Sequence, residues 1–526
     1  MLFTRKVVIS LALCLRTHVL LAGAADHAAD SFTNPVLWED LADLDVFRVN
    51  DAWYYSASTM HYSPGAPVLR SYDLVSWEYI GHSVPALEWS PKYNLTGGER
   101  AYVKGIWAST MRYRRSNGRW YWLGCVESAR TYVYTAPAAT GPWSLASTLD
   151  VCFYDAGLLI DDDDTMYVAY GNSRLSVAQL TPDGLGVVRT QQVYASPPSI
   201  GTLEGSRMYK RDGQYYILAT RPANAEYVLK ASSPFGSYSI KALASSLSPP
   251  AAGGGNPHQG GIVDTPAGDW YYMAFEDAYP GGRVPVLAPI TWGPDGFPVL
   301  TTSNGGWGVT YPRPVPAHPL PSLLGTDSFS GPSLSHQWEW NHNPDTTKFN
   351  VSNGLTLGTA TVTADLYSAR NTLTHRIRGP VSTATIVLDT TNMVDGDRAG
   401  LSLFRDQSAW IGVMNDGGSL RVGMVDSVTM DASLRTTSTG RTVATASASK
   451  GVIHLRCTVN ISPGAGRTGT FSYSTDGGSS FTNLGSAFAL TTDWHYFMGY
   501  RWGIFNYATK ALGGSVVVGS FTQDAS

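Results

Sequence analysis

The sequence predicts an all-β chain, a five-bladed β-propeller followed by a C-terminal β-sandwich. Three observations carry that expectation. A tyrosine-containing triplet recurs five times beside turn signals. The composition is rich in aromatic residues and turn formers and poor in charge. After about residue 327, short alternating stretches separated by Gly-rich turns run to the end with almost no helical periodicity.

The triplets are Trp53-Tyr54-Tyr55, Trp120-Tyr121-Trp122, Met166-Tyr167-Val168, Tyr215-Tyr216-Ile217 and Trp270-Tyr271-Tyr272. Turn signals lie beside them, among them Asn50-Asp51, Asn117-Gly118, Asp212-Gly213 and Gly268-Asp269. Repeats of this length, each reading strand–turn–strand, are the signature of propeller blades. Between 11 and 14 residues before the central tyrosines stand Asp43, Trp107, Asp155, Glu204 and His258. In a propeller the first strand of each blade lines the central channel. Residues at equal register therefore converge near one end of it. Three carboxylates, a tryptophan and a histidine in one cleft point to carbohydrate chemistry.

At 526 residues the chain is too long for one ordinary domain, so two are expected. Aromatics make up 12%, charged residues only 15%, and glycines number 54 and prolines 30, which fits a compact β protein with many turns. The net charge of −4 gives no basis for a nucleic-acid or anionic-membrane partner.

Residues 1–24 read as a signal peptide, so a secreted, extracellular protein is expected. Arg5 and Lys6 precede the apolar run Val7 to Leu15, and Ala22-Gly23-Ala24 offers a small-residue cleavage site. Arg16 and His18 break the stretch, which leaves it short of the roughly 18 apolar residues that a membrane span needs. Removing the peptide removes Cys14 and leaves Cys125, Cys152 and Cys457. Cys125 and Cys152, in neighbouring blades, are candidates to pair, with buried thiols the alternative. Asn94-Leu95-Thr96, Asn350-Val351-Ser352 and Asn460-Ile461-Ser462 are N-glycosylation sequons.

The repeats occupy residues 31–310. Residues 311–326 then open on five prolines in eleven residues, Tyr311 to Pro321, which cannot continue a sheet interior and favour a stiff linker. Residues 327–526 form the expected sandwich, with strands such as Thr383–Leu388, Ala399–Phe404 and Gly514–Gly519.

The segment Asn34-Pro35-Val36-Leu37 … Ala42-Asp43-Leu44-Asp45-Val46-Phe47-Arg48-Val49 resembles the opening of glycoside hydrolase family 43, in which a Pro-Asp-Pro-Ser type segment precedes an Arg-Val and a Tyr-Tyr strand. Aligning on Arg48-Val49 places the family's general base at Asp43, with Asp45 and Asp40 as rivals. Ala42 and Leu44 stand where the family often has prolines. Gly105-Ile106-Trp107-Ala108 resembles the segment whose Trp floors the sugar site. Tyr154-Asp155-Ala156-Gly157-Leu158 resembles the segment of the aspartate that orients the acid and tunes its pKa. Leu203-Glu204-Gly205 with Met208-Tyr209-Lys210 resembles the segment of the general acid. His258-Gln259-Gly260-Gly261 and Gly282-Arg283-Val284-Pro285 also match. The resemblance implies that Arg283 contacts substrate and that His258 sits on the channel axis, where it helps hold a calcium or another ion through water. No cofactor is required for the chemistry. Trp338 to Pro344 and Trp502 to Asn506 resemble the concanavalin-like sandwich attached to fungal and bacterial members.

The residue types suit the implied reaction. Hydrolysis with inversion needs a proton donor at the leaving oxygen and a base that activates water, about 6.5–9.5 Å apart. Glu204 would be the donor, kept protonated by a neighbouring carboxyl, Asp155, and Asp43 would be the base. Tyr62 to Leu74 resembles fungal arabinoxylan-acting members, which tilts the expectation to an α-L-arabinofuranosidase, with β-xylosidase the alternative. The expected partners are arabinoxylan, arabinan or xylo-oligosaccharides, and the expected state is a monomer. A non-catalytic propeller lectin is the reading from another class.

Three simpler roles are also expected. Asp161 to Asp164 should form a solvated hairpin turn rather than a metal cluster. The triplets should be blade core. Trp338 and Trp340 should be sandwich core rather than a glycan strip.

Overall fold

The computed structural model describes residues 30–525, so residues 1–24, read as a signal peptide, lie outside it. Five four-stranded antiparallel sheets follow one another in chain order. Their first strands are Asp45–Val49, Thr110–Arg114, Gly157–Ile160, Glu204–Arg211 and His258–Asp264. Each packs against the first strand of the next sheet, and the last returns to the first, which closes a ring. This is a five-bladed propeller.

Every triplet falls in the second strand of its blade: Ala52–Ser56, Arg119–Val126, Met166–Tyr170, Gln214–Arg221 and Trp270–Asp277. The triplets are largely core, with Trp53, Trp122, Val168, Ile217 and Tyr272 buried. The hairpins follow their turn residues. At Asp212-Gly213 both φ angles are positive, 49° and 72°, the twist that a two-residue hairpin requires. The chain ends of the propeller are clasped by a short ribbon, Ser31–Thr33 against Thr310–Pro312.

The Asp161–Asp164 turn does join two strands, but it is less solvated than the sequence suggests. Asp161 is bound by Lys210 and Tyr215, and Asp164 is bound by Arg114. These contacts tie blade 3 to both of its neighbours. Cys125 and Cys152 form a disulfide between blade 2 and the approach to blade 3, and Cys457 is a buried free thiol.

The second domain packs a nine-stranded sheet on an eight-stranded one. Alternation is clear in Val381–Asp389, where every second side chain is buried. Trp338 and Trp340 are only 2% and 4% exposed and belong to this core. The proline-rich segment is bounded by sheet at both ends. Tyr311 and Pro312 sit in the propeller ribbon, and Gly325–Asp327 pairs with Phe521 to Gln523 of the sandwich.

The two domains share backbone. Tyr62–Ser63 of the propeller adds an edge strand to the eight-stranded sheet, opposite Asn341 and Trp340. Beside it the fully buried Glu339 is bound by Arg376 at 2.9 Å, Arg501 at 2.6 Å and His82 of the propeller at 3.1 Å. The sandwich is thereby fixed against the end of the propeller where the first strands begin.

Candidate active site

Asp43, Trp107, Asp155, Glu204 and His258 line one cavity of about 590 Å³, together with Arg283. Each comes from the start of a different blade's first strand or the segment leading into it, so the propeller's closure brings them together. The backbone at this end is unusual. Asp43, Asp155 and Gln259, which follows His258, have φ of 55°, 52° and 47°. Left-handed non-glycine residues persist where surrounding contacts over-determine them, and they cluster at functional sites.

Asp43 is 4% exposed. Its carboxylate accepts from Ser58 Oγ at 2.6 Å and from both terminal nitrogens of Arg283, at 2.7 and 3.2 Å. This bidentate pair fixes its orientation. The rivals are occupied elsewhere. Asp45 turns away and accepts from Thr110 Oγ1, the Met111 amide and Arg112, stitching blade 1 to blade 2. Asp40 accepts two backbone amides. Beneath the site the buried Arg207 donates to the carbonyls of Asp43, Leu44 and Ala156, joining blades 1, 3 and 4.

Glu204 Oε2 accepts from Asn172 Nδ2 at 2.6 Å and from Tyr154 Oη at 3.3 Å. Burial pushes the Glu204 carboxyl above its ordinary value, the negative charge of Asp43 adds to this, and the two hydrogen bonds oppose it. Asp155 Oδ2 accepts the Gly205 amide at 2.9 Å, so it grips the backbone next to Glu204. Burial pushes Asp155 well up, and the charges of Glu204 and Asp43 push it further. Gly205 has φ of 69°, and a Cβ there would lie 2.9 Å from Gln259 Cγ, so the turn that presents Glu204 needs glycine.

Trp107 meets Phe497 edge to face at 4.8 Å. His258 shares a 2.9 Å hydrogen bond between Nδ1 and the Asn256 carbonyl, and burial lowers its pKa, which favours the neutral ring. Among the described residues no three His, Cys, Asp or Glu side chains converge to hold a metal directly. Calcium needs six to eight oxygen ligands, so an ion beside His258 would depend on water and backbone oxygens. Arg283 lies at the cavity wall, with three of its N–H groups committed to Asp43 and to the Phe497 carbonyl.

Several residues of the site were not singled out from the sequence. Ser58 and Asn172 hold the carboxylates of Asp43 and Glu204, and neither lies in a recognisable motif. Thr492, Trp494 and Phe497 come from the sandwich and close the cavity. The one available signal was the aromatic run Asp493-Trp494-His495-Tyr496-Phe497 in a Ser/Thr-rich stretch.

Comparison with known proteins agrees with this geometry. Residues 32–298 match the family model of glycosyl hydrolases family 43. Residues 326–522 match the β-xylosidase C-terminal concanavalin A-like domain. A β-xylosidase of Formosa agariphila is 27% identical over 71% of this chain and 73% of that protein. A non-reducing end α-L-arabinofuranosidase of Bacteroides ovatus is 27% identical over 60% of this chain and 62% of its own. A solved GH43 glycoside hydrolase, engineered to display both endo-xylanase and exo-arabinofuranosidase activity, is 52% identical, with a TM-score of 0.91 over 94% of this chain and 99% of that one. The three carboxyl groups, the shared cavity and these likenesses lead to one conclusion: the chain is a glycoside hydrolase belonging to glycosyl hydrolases family 43.

Proposed function

We propose that this hydrolase is a secreted, inverting α-L-arabinofuranosidase that releases terminal arabinofuranosyl residues from arabinoxylan. The observation that carries the reading is the placement of Asp43 and Glu204 on the walls of one cavity, each held by its own set of donors. Asp43 takes a proton from water as the water oxygen bonds to the anomeric carbon. Glu204 gives its proton to the glycosidic oxygen as that bond breaks. Asp155 fixes the backbone beside the acid, and Trp107 offers an apolar face to the sugar's C–H groups. Support for arabinose comes from the exo-arabinofuranosidase activity described for the 52% identical structure. The leader-like residues 1–24 support secretion.

β-Xylosidase is the second reading, favoured by the names of relatives such as those of Formosa agariphila and Xylanibacter ruminicola. Chromatography of the sugars released from cereal arabinoxylan separates the two. Arabinose as the product supports the proposal, and xylose as the main product replaces it.

A polymeric substrate fits one further feature. Trp494 is 54% exposed at the cavity rim, on a short turn in which the Asp493 side chain accepts the His495 amide. An exposed indole on a braced turn suits stacking against a xylan backbone. Burying an aromatic side chain is worth about 1.5–3 kcal/mol. Trp494→Ala is therefore expected to lower kcat/KM on arabinoxylan about tenfold or more, and to change turnover of an aryl arabinofuranoside little. Equal losses on both substrates would remove Trp494 from backbone binding.

A further inference from the structure

Asp40 lies three residues before the base, is buried, and spends its two carboxylate oxygens on two different domains. Oδ1 accepts the amide of Arg283 at 2.8 Å. Oδ2 accepts the amide of Gly499, in the sandwich, at 3.0 Å. Approach to Asp40 is so close at Gly282, whose φ is 94°, that a Cβ there would lie 2.5 Å from Asp40 Cγ.

The two segments that Asp40 joins also touch one another. Arg283 Nε donates to the Phe497 carbonyl at 3.1 Å, and the Tyr500 amide donates to the Pro280 carbonyl at 3.1 Å. Within the sandwich, Arg405 Nε holds the Met498 carbonyl at 2.8 Å. The segment 492–500 thus carries Phe497 into the cavity and Trp494 to its rim, and is fastened at its base to the strand that begins with Arg283. The same guanidinium that donates to the Phe497 carbonyl on one edge donates to Asp43 on the other, at 2.7 Å.

We propose that Asp40 is a positioning residue that clamps the sandwich segment 492–500 to the start of the Arg283 strand, so that the segment closing the sugar cavity also sets the angle at which Arg283 holds Asp43. On this account every catalytic carboxyl belongs to the propeller, yet the alignment of the base depends on the sandwich. A guanidinium fork is directional, and small displacements of catalytic groups cost rate steeply. The proposal rests on Asp43 being the base.

The test uses the full chain and whichever aryl glycoside, arabinofuranoside or xyloside, the wild type turns over. Asp40→Asn keeps one carbonyl oxygen and sets an NH₂ against the other amide. It is expected to lower kcat by about 10- to 100-fold, with KM changed less than threefold, at temperatures where melting curves show the variant fully folded. His82→Gln perturbs the same domain interface, through Glu339, without touching Asp40 or segment 492–500. It is expected to lower the melting temperature and leave kcat near wild type. Asp40→Asn and Arg283→Lys are expected to be strongly non-additive in kcat, because one acts through the other. Wild-type kcat in Asp40→Asn, additive losses in the double variant, or the same loss of kcat in His82→Gln would each overturn the clamp. Full activity in Asp43→Ala would remove the base reading and the clamp with it, and is distinguishable because it requires no change at Asp40.

Discussion

Glu204→Ala is expected to slow release of sugar from arabinoxylan by about 10³- to 10⁴-fold, while a glycoside with a dinitrophenolate leaving group is slowed far less. The reason lies in the proton. A sugar alkoxide is a poor leaving group and needs Glu204 to protonate it as the bond breaks. Dinitrophenolate leaves unaided. General acid–base groups contribute about 10²–10⁴-fold, so the polymer should show nearly the full loss. Asp43→Ala removes activation of water, which both substrates need, and is expected to slow both to a similar degree. Kinetics on the paired substrates therefore assign the two roles separately.

The pH profile carries the same assignment. In the proposed mechanism Glu204 works protonated, and burial raises its carboxyl above the ordinary value. Activity is present below that raised value and is lost as pH rises through it, so Glu204 sets the alkaline limb. The hydrogen bond from Asn172 favours the ionised form and lowers the value. Asn172→Leu is expected to move the alkaline limb to higher pH. A shift to lower pH would contradict this assignment of the acid.

The second large effect is on stability. Glu339→Gln is expected to destabilise the fold by about 3–5 kcal/mol at neutral pH, because it leaves buried guanidinium groups without their counter-charge. Burial alone would raise the Glu339 carboxyl, but Arg376, Arg501 and His82 outweigh it and hold it well below the ordinary value. The sign follows. A depressed folded value stabilises above the unfolded pKa of about 4.3, and the contribution fades as pH falls through the folded value. The gap in melting temperature between wild type and Glu339→Gln should thus be full at neutral pH and narrow only below about pH 4. A gap that is unchanged in strong acid would place the effect in packing rather than charge.

Much of the fold was legible because its signals are local. The triplets mark second strands through their apolar pattern and adjacent turns, and the alternation of Val381–Asp389 marks a half-buried strand. The carboxyl groups were legible through equal register before those triplets. Asp43 was favoured over its rival Asp45 by alignment on Arg48-Val49, although both flank the same strand start. Their partners differ, Arg283 for one and Thr110 with Arg112 for the other. Ser58, Asn172 and the sandwich segment with Trp494 and Phe497 were illegible for a different reason. They reach the site through packing between elements far apart in the chain, and single residues in loops leave no periodic trace. The four aspartates after Ile160 misled in part, since their partners Arg114 and Lys210 lie on other blades.

The central claim is that Asp43 and Glu204 act as base and acid on opposite sides of one glycosidic bond. The most direct measurement is ¹H NMR of the sugar released in the first minutes from a glycoside of known anomeric configuration, before mutarotation. The account predicts that the first-formed sugar has the opposite configuration to the substrate. A first-formed sugar of the same configuration would mean a covalent intermediate and a nucleophilic carboxylate, and would contradict it.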